Sequence, residues 1–193
     1  MRAFWDLGGA GMQEVPVADE AILLDLDTEE EYRRLAERSA SEDLPTAEEC
    51  RALMTQVAQV PEAVWRHCQA TARVAAALAA AVNRSGALLD MELVRSAALV
   101  HDIAKTQAGH AAAGAKQLAA LGFPRVAAVV GVHMEIATDP DQALDEAQLV
   151  FLADKLLEGE RLSGLNARQT RKLAKYGMDS QAKAAIIPIR QAA

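Results

Sequence analysis

Apolar and polar positions change their period once along the chain. Up to about residue 40 the apolar residues come in short runs. These are EVPV and then AILLDLD, with Ile22, Leu23, Leu24 and Leu26. Such runs predict the short strands of a β-hairpin. Gly8, Gly9 and Gly11 break the start, and Thr28 before Glu29-Glu30-Glu31 opens a short helix, with Glu31 placed for a capping box. Ser39 to Pro45 reads as a polar linker. From Thr46 onward the pattern predicts helices only. Thr46 with Glu49 forms a second capping box, for a helix to about Gln59. Pro61 starts a long helix to about Val82, which stops in Asn83-Arg84-Ser85-Gly86. Asp90 caps a helix that carries Leu93, Ala97, Leu99 and Val100 and ends near Ala104. Further helices are predicted from about His110 to Leu121, from Pro124 to near His133, and from about Leu144 to Leu157. Two shorter helices finish the chain. The expected architecture is an all-α helical bundle over residues 46–193, with a short N-terminal β-hairpin and helix appendage over residues 1–40.

Composition agrees with that division. The 193 residues allow one compact domain plus an appendage. Hydrophobic residues make up 51%, much of it alanine, and aromatics only 4%, which suits closely packed helices. The net charge of −7 argues against nonspecific nucleic-acid binding, which needs a basic surface. It leaves room for a small phosphorylated substrate, because a bound cation supplies local positive charge. Cys50 and Cys68 form no CxxC pair and read as reduced thiols, as expected of a cytoplasmic protein. No run approaches the ~20 apolar residues that span a bilayer, and MRAFWDLGGAG lacks the pattern of a signal peptide. Neither a nucleic acid nor a membrane is an expected partner.

The chain has four histidines, His67, His101, His110 and His133. A lone helical histidine is more often structural than a ligand, so the argument rests on their neighbours. His101 precedes Asp102 in AALVHDIAK. Adjacent helical residues diverge by ~100°, so both reach one ion only if it lies close against the helix near its end. Burying an unpaired aspartate there would cost several kcal/mol, and a cation removes that cost. The plainer reading is an aspartate capping a turn beside a core histidine. Asp154 likewise interrupts an apolar face in LVFLADKLLEGERL, and a salt bridge to a nearby lysine or to Arg161 would also account for it.

His67, then His101-Asp102, then Asp154 resembles the HD phosphohydrolase superfamily in order and spacing. HDIAK is similar to that family's HD-x-[GA]-K, and ADKLLEGERL to its ADK-x-x-x-x-x-R. The resemblance covers roughly residues 46 to 175 and implies an HD-domain helical bundle. Members that hold two ions add two histidines between the HD pair and the last aspartate. HAAAGA at His110 and VVGVHMEI at His133 resemble those two words, found in bacterial HD hydrolases of symmetrical dinucleoside polyphosphates and in other two-metal HD enzymes. The gap from His101 to His110 is short, at nine residues. The implied metal ligands are therefore His67, His101, Asp102, His110, His133 and Asp154.

Imidazole mixed with carboxylate suits one or two ions of Mn, Fe, Zn, Co or Ni, and Mg less well. Such an ion lowers the pKa of a bound water and polarises a phosphoryl oxygen. The expected activity is metal-dependent hydrolysis of a phosphoester or phosphoanhydride of a nucleotide or other small phosphorylated molecule. Asp102 is a candidate ligand and proton acceptor. Lys105 is a candidate catalytic and phosphate-binding residue, with a solvated helix-end lysine as its plainer reading. Arg161 is a second phosphate candidate. EVPVADEAILLDLDTEEEY resembles the C-terminal tail of a molybdopterin-type nucleotidyltransferase, in which the acidic residue at the position of Asp27 helps hold magnesium. The Gly-rich nucleotide loop of that domain is absent, so Asp27 is expected to be inactive and the segment a remnant or a trimmed piece of a longer chain, with a local β-hairpin and helix of no such ancestry as the plainer reading. That resemblance implies a fusion to, or association with, a nucleotidyltransferase. A non-catalytic metal- or nucleotide-binding module that regulates such a transferase is the alternative function, and an all-helical interaction domain with core histidines is a third.

Overall fold

The computed structural model describes residues 17–18, 27–39, 43–137, 143–166, 170–171 and 174. The strands expected over EVPV and AILLDLD fall almost wholly outside these residues. The expected helix after Thr28 is present as α1, Glu29–Ser39. Its start is closed reciprocally: Glu31 N–H donates to Thr28 Oγ1 at 3.2 Å and Thr28 N–H donates to Glu31 Oε2 at 2.8 Å.

The second capping box also forms. Thr46 and Glu49 exchange the same pair of bonds at the start of α2, Ala47–Ala52. This helix does not run on unchanged to Gln59. It widens into a π-helical turn over Leu53–Val57, where Ala58 N–H reaches back to Leu53 O. Val60 precedes Pro61, and the residue before a proline is driven out of the helical region, so the helix has to end here.

Helix α3, Glu62–Arg84, begins behind Pro61 and buries Trp65, Cys68, Ala72, Ala75 and Ala79. Those positions step by three and four, one stripe along the helix. The alanines let the next helix approach closely. That helix is α4, Met91–Val100, whose residues from Leu93 to Val100 are buried except Arg95. A helix apolar nearly all round belongs at the centre of a bundle. It packs against α2, α3 and the two helices α6, Pro124–Val132, and α7, Glu146–Leu156. Helix α5, His110–Ala120, packs chiefly on α6.

Helix α4 ends at Val100, short of the expected Ala104. The chain continues in tight turns, with Ile103 N–H on Val100 O, Lys105 N–H on Asp102 O and Gln107 N–H on Ala104 O. Gly109, at φ +62°, takes the left-handed conformation that starts α5. One turn into α5, a Cβ on Gly114 would lie 3.1 Å from Ile103 Cγ2, so the glycine lets α5 settle against the residue after Asp102. The short His101–His110 gap is thereby closed by turns and a close helix approach.

After α7 the chain makes a small antiparallel hairpin that was not expected. Strand β1, Leu157–Glu158, pairs with β2, Arg161–Leu162, with Leu157 opposite Leu162 and Glu158 opposite Arg161. Gly159 turns the corner at φ +60°. The described residues are otherwise helical or connecting, so the fold is all-α. No helix among the described residues is long and apolar enough to cross a membrane.

Asp90 secures the start of the central helix. Its Oδ1 accepts from Glu92 N–H and Leu93 N–H, both at 3.1 Å, and Arg125 pairs with Oδ2 at 2.5 Å. Its own N–H donates to Glu146 Oε1 on α7 at 2.8 Å. Partial burial works to raise the Asp90 pKa, but Arg125 and the capped amides outweigh it and hold the carboxyl below its ordinary value. Asp90→Ala is expected to lower stability at pH 7 by about 0.5–2 kcal/mol, the usual worth of an N-cap. A depressed carboxyl stabilises the fold above its unfolded pKa and loses that contribution as pH falls through the folded pKa. Urea midpoints of the wild type and the variant should therefore converge below about pH 4.

Candidate metal centre

The ends of four helices meet beside the bundle core. His101 and His133 are the C-caps of α4 and α6, Asp154 lies in the last turn of α7, and His110 is the first residue of α5. His67 comes from the second turn of α3. Three helix C-termini thus supply candidate ligands, and their partial negative charge favours a cation nearby. The four imidazoles follow one another in a row. Ring centroids lie 5.3 Å apart for His67–His101, 5.1 Å for His101–His133 and 5.2 Å for His133–His110.

Asp102 stands against that row and serves both halves of it. Its Oδ2 is 3.6 Å from His101 Nε2, and its Oδ1 is 3.4 Å from both His110 Nε2 and His133 Nε2. The ligand atoms fall into two compact groups that share this carboxylate: His67, His101 and Asp102, and then Asp102, His110 and His133. Asp154 joins the first group through His67, with Oδ1 3.1 Å from His67 Nε2. With metal–ligand bonds of about 2.1 Å, neighbouring ligand atoms stand roughly 3.0–3.4 Å apart around an ion. The observed separations match that spacing to within a few tenths of an ångström.

Backbone carbonyls orient three of the rings. His67 Nδ1 donates to Gly159 O at 2.7 Å, His101 Nδ1 to Ala98 O at 2.8 Å, and His133 Nδ1 to Val130 O at 2.6 Å. A proton kept on Nδ1 turns the Nε2 lone pair towards the centre, as in histidines that ligate metals. Nε2 of His101, His110 and His133 is buried and has no hydrogen-bond partner among the described residues. Leaving one such atom unpaired costs about 1–3 kcal/mol. A divalent cation in each of the two groups would satisfy these atoms, so the residues fit such ions.

Electrostatics favour the same state. Burial dominates at His101 and lowers its pKa to about 4, so it stays neutral. Burial and the charge of Lys105 lower His110 as well. Burial pushes Asp102 up, but the contacts with His133, His101 and Lys105 outweigh it and hold the carboxyl far below its usual range. Burial likewise opposes the charge on His67, yet Asp154 and the Gly159 carbonyl raise its pKa on balance. The result is a neutral His101 beside an ionised Asp102, with His67 bound to a second carboxylate.

The other candidates fall in different places. Lys105 Nζ reaches Asp102, 3.1 Å from Oδ1 and 3.0 Å from Oδ2, although the helix expected to carry it has ended. Arg161 is exposed on β2, where its backbone stands opposite Glu158. The lysine pairing considered for Asp154 exists alongside its contact with His67, because Lys155 Nζ lies 2.6 Å from Asp154 Oδ2. Three contributors were not singled out in the sequence: Lys155, the Gly159 carbonyl, and Cys68, whose buried thiol lies against the Asp102 backbone. Lys155 had a signal in the ADK word. A backbone carbonyl has none.

A family model for the HD domain matches residues 64–159, a span that holds all six candidate ligands. An uncharacterized protein of Methanocaldococcus jannaschii is 30% identical over 117 residues, covering 52% of this chain and 69% of that protein. No solved structure matches the chain.

Elemental analysis tests the shared carboxylate directly. Asp102→Asn is expected to empty both groups of ligands. His110→Ala should lose only the ion of the second group. His101→Ala and Asp154→Ala should lose that of the first. Full metal content in Asp102→Asn would show that the carboxylate does not bridge.

Proposed function

The chain belongs to the HD-domain family, and from that premise we propose that it is a hydrolase using one or two divalent transition-metal ions. The family places it in a metal-dependent phosphohydrolase superfamily. Its substrate, in our reading, is a phosphoester or phosphoanhydride of a nucleotide or another small phosphorylated molecule. One observation carries this: a buried carboxylate faces two pairs of imidazoles, three of whose inward nitrogens have no partner. A structural histidine cluster would be expected to satisfy those atoms within the protein.

His67, His101, Asp102 and Asp154 would hold one ion, and Asp102, His110 and His133 the other. When bound, such ions supply Lewis-acid polarisation of a phosphoryl oxygen and a water acidified towards neutral pH. The chain's own residues provide the rest. His101 and His133 seal the back of the site, whereas His67, His110 and Lys105 are partly exposed and mark its open edge. Lys105, with 43% of its side chain exposed, sits between that edge and Asp102. A phosphate arriving there meets an ammonium that can donate to it without leaving the site. Asp102 is so weakly basic that it stays ionised, which favours its role as ligand over that of proton acceptor. Arg161 lies on the hairpin whose turn binds His67 through Gly159 and remains the second phosphate candidate.

The test is a substrate panel. Protein loaded with Mn(II), Co(II) or Zn(II) should release phosphate or a nucleoside phosphate from at least one nucleotide, dinucleotide or phosphomonoester. Nucleotide binding without turnover would favour the regulatory module instead, and neither binding nor turnover would remove both readings. Lys105→Met should keep its metal and raise KM about 10- to 100-fold, the worth of one charged hydrogen bond.

A further inference from the structure

We propose that Lys155 is a positioning residue that fixes Asp154 and the end of α6 relative to each other, and so sets the spacing of the two ligand groups. The inference rests on the metal-site reading above. Lys155 is 2% exposed, an uncommon place for a lysine. Its ammonium lies 2.6 Å from Asp154 Oδ2, donates to the His133 carbonyl at 3.2 Å, and sits 4.9 Å from the centre of the Phe151 ring. A buried charge persists only when it is paired and hydrogen-bonded, and here both conditions are met.

Each bond constrains a different part of the centre. The bond to Oδ2 leaves Oδ1 as the oxygen turned to His67 Nε2, so Asp154 presents one oxygen rather than two. The bond to the His133 carbonyl acts on the other group. His133 is the C-cap of α6, and carbonyls at a helix C-terminus lack partners within the helix. Lys155 satisfies this one and pins the point from which His133 reaches Asp102. A single ammonium therefore touches a ligand of one group and the backbone of a ligand of the other.

A buried counter-charge with no positioning role would affect stability alone. A positioning residue also affects metal affinity, since outer-shell partners of ligands are typically worth about 10- to 100-fold. The experiment is titration of the full chain with Mn(II) against a competing chelator, with folding checked by urea denaturation. Lys155→Met is expected to bind about 10- to 100-fold more weakly, and Lys155→Arg, which keeps the charge, to recover part of the loss. Leu53→Ala, in an element that carries no ligand, is the control: it loses stability but keeps wild-type affinity. If Lys155→Met does not fold, Lys155→Gln takes its place. A folded Met or Gln variant that binds as tightly as the wild type overturns the positioning role. So does failure of both to fold, which would make the lysine a folding requirement. Wild-type protein that binds no Mn(II), Co(II) or Zn(II) overturns the metal reading instead, a separate outcome.

Discussion

A carboxylate that is removed from water must be compensated by its surroundings, and the centre of this molecule is arranged around one such group. Asp102 is 1% exposed and follows the central helix directly. Isolated in an apolar interior, its charge would be prohibitive. The chain surrounds it instead with three imidazole nitrogens at 3.4–3.6 Å and the Lys105 ammonium. His101 and Lys105 flank Asp102 in the chain, whereas His110 and His133 come from α5 and α6, so meeting the needs of one carboxylate fixes the relative positions of α4, α5 and α6. The alanine stripe of α3 and the glycine in α5 can be understood in the same terms. Small residues let helices come close enough for side chains as short as histidine to converge.

Among the described residues, the centre's own side chains nevertheless leave three nitrogens unsatisfied. Hydrogen bonds from Nδ1 to carbonyls hold the rings of His101 and His133 so that their Nε2 atoms point inward and remain unpaired. Rotating either ring to find a partner would break a short bond to the backbone. The fold thus commits these rings to a ligand geometry before any ligand arrives, which lowers the entropic cost of binding at the expense of stability. A cation that pairs with these atoms stabilises the folded chain by mass action. Under the proposed metal reading, folding and metal binding would be coupled through a few buried nitrogens.

Much of this was legible in the sequence because it depends on local pattern. The caps at Thr28, Thr46 and Asp90 and the breaks at Pro61 and Pro124 act within one helical turn, and the helices they delimit appear close to where they were expected. The order of histidines and aspartates pointed to one centre, where five of the six residues gather in two groups and Asp154 meets them through His67. What could not be read is what depends on contacts between distant segments. The end of α4 at Val100 follows from the tight turns that carry the chain towards α5, not from any breaker between Val100 and Ala104. The hairpin after α7 rests on Leu157 being buried against the domain and on Gly159 turning, while the residues themselves are compatible with helix. Gly159 also lends His67 a carbonyl, and every residue has one, so sequence cannot single it out.

Lys155 shows where the boundary between these cases lies. Its neighbour Asp154 was recognised as anomalous, because a carboxylate on an apolar face needs a partner. A metal ion, a nearby lysine or Arg161 would each account for it from the sequence. A carboxylate has two oxygens and about four lone-pair sites, so the alternatives are not exclusive. Asp154 turns one oxygen to His67 and the other to Lys155. The salt bridge that would explain the residue away is the same contact that orients it as a ligand. For a buried acid beside a lysine, the pairing therefore does not argue against a metal role. The useful question is which oxygen the lysine takes and where the other one points.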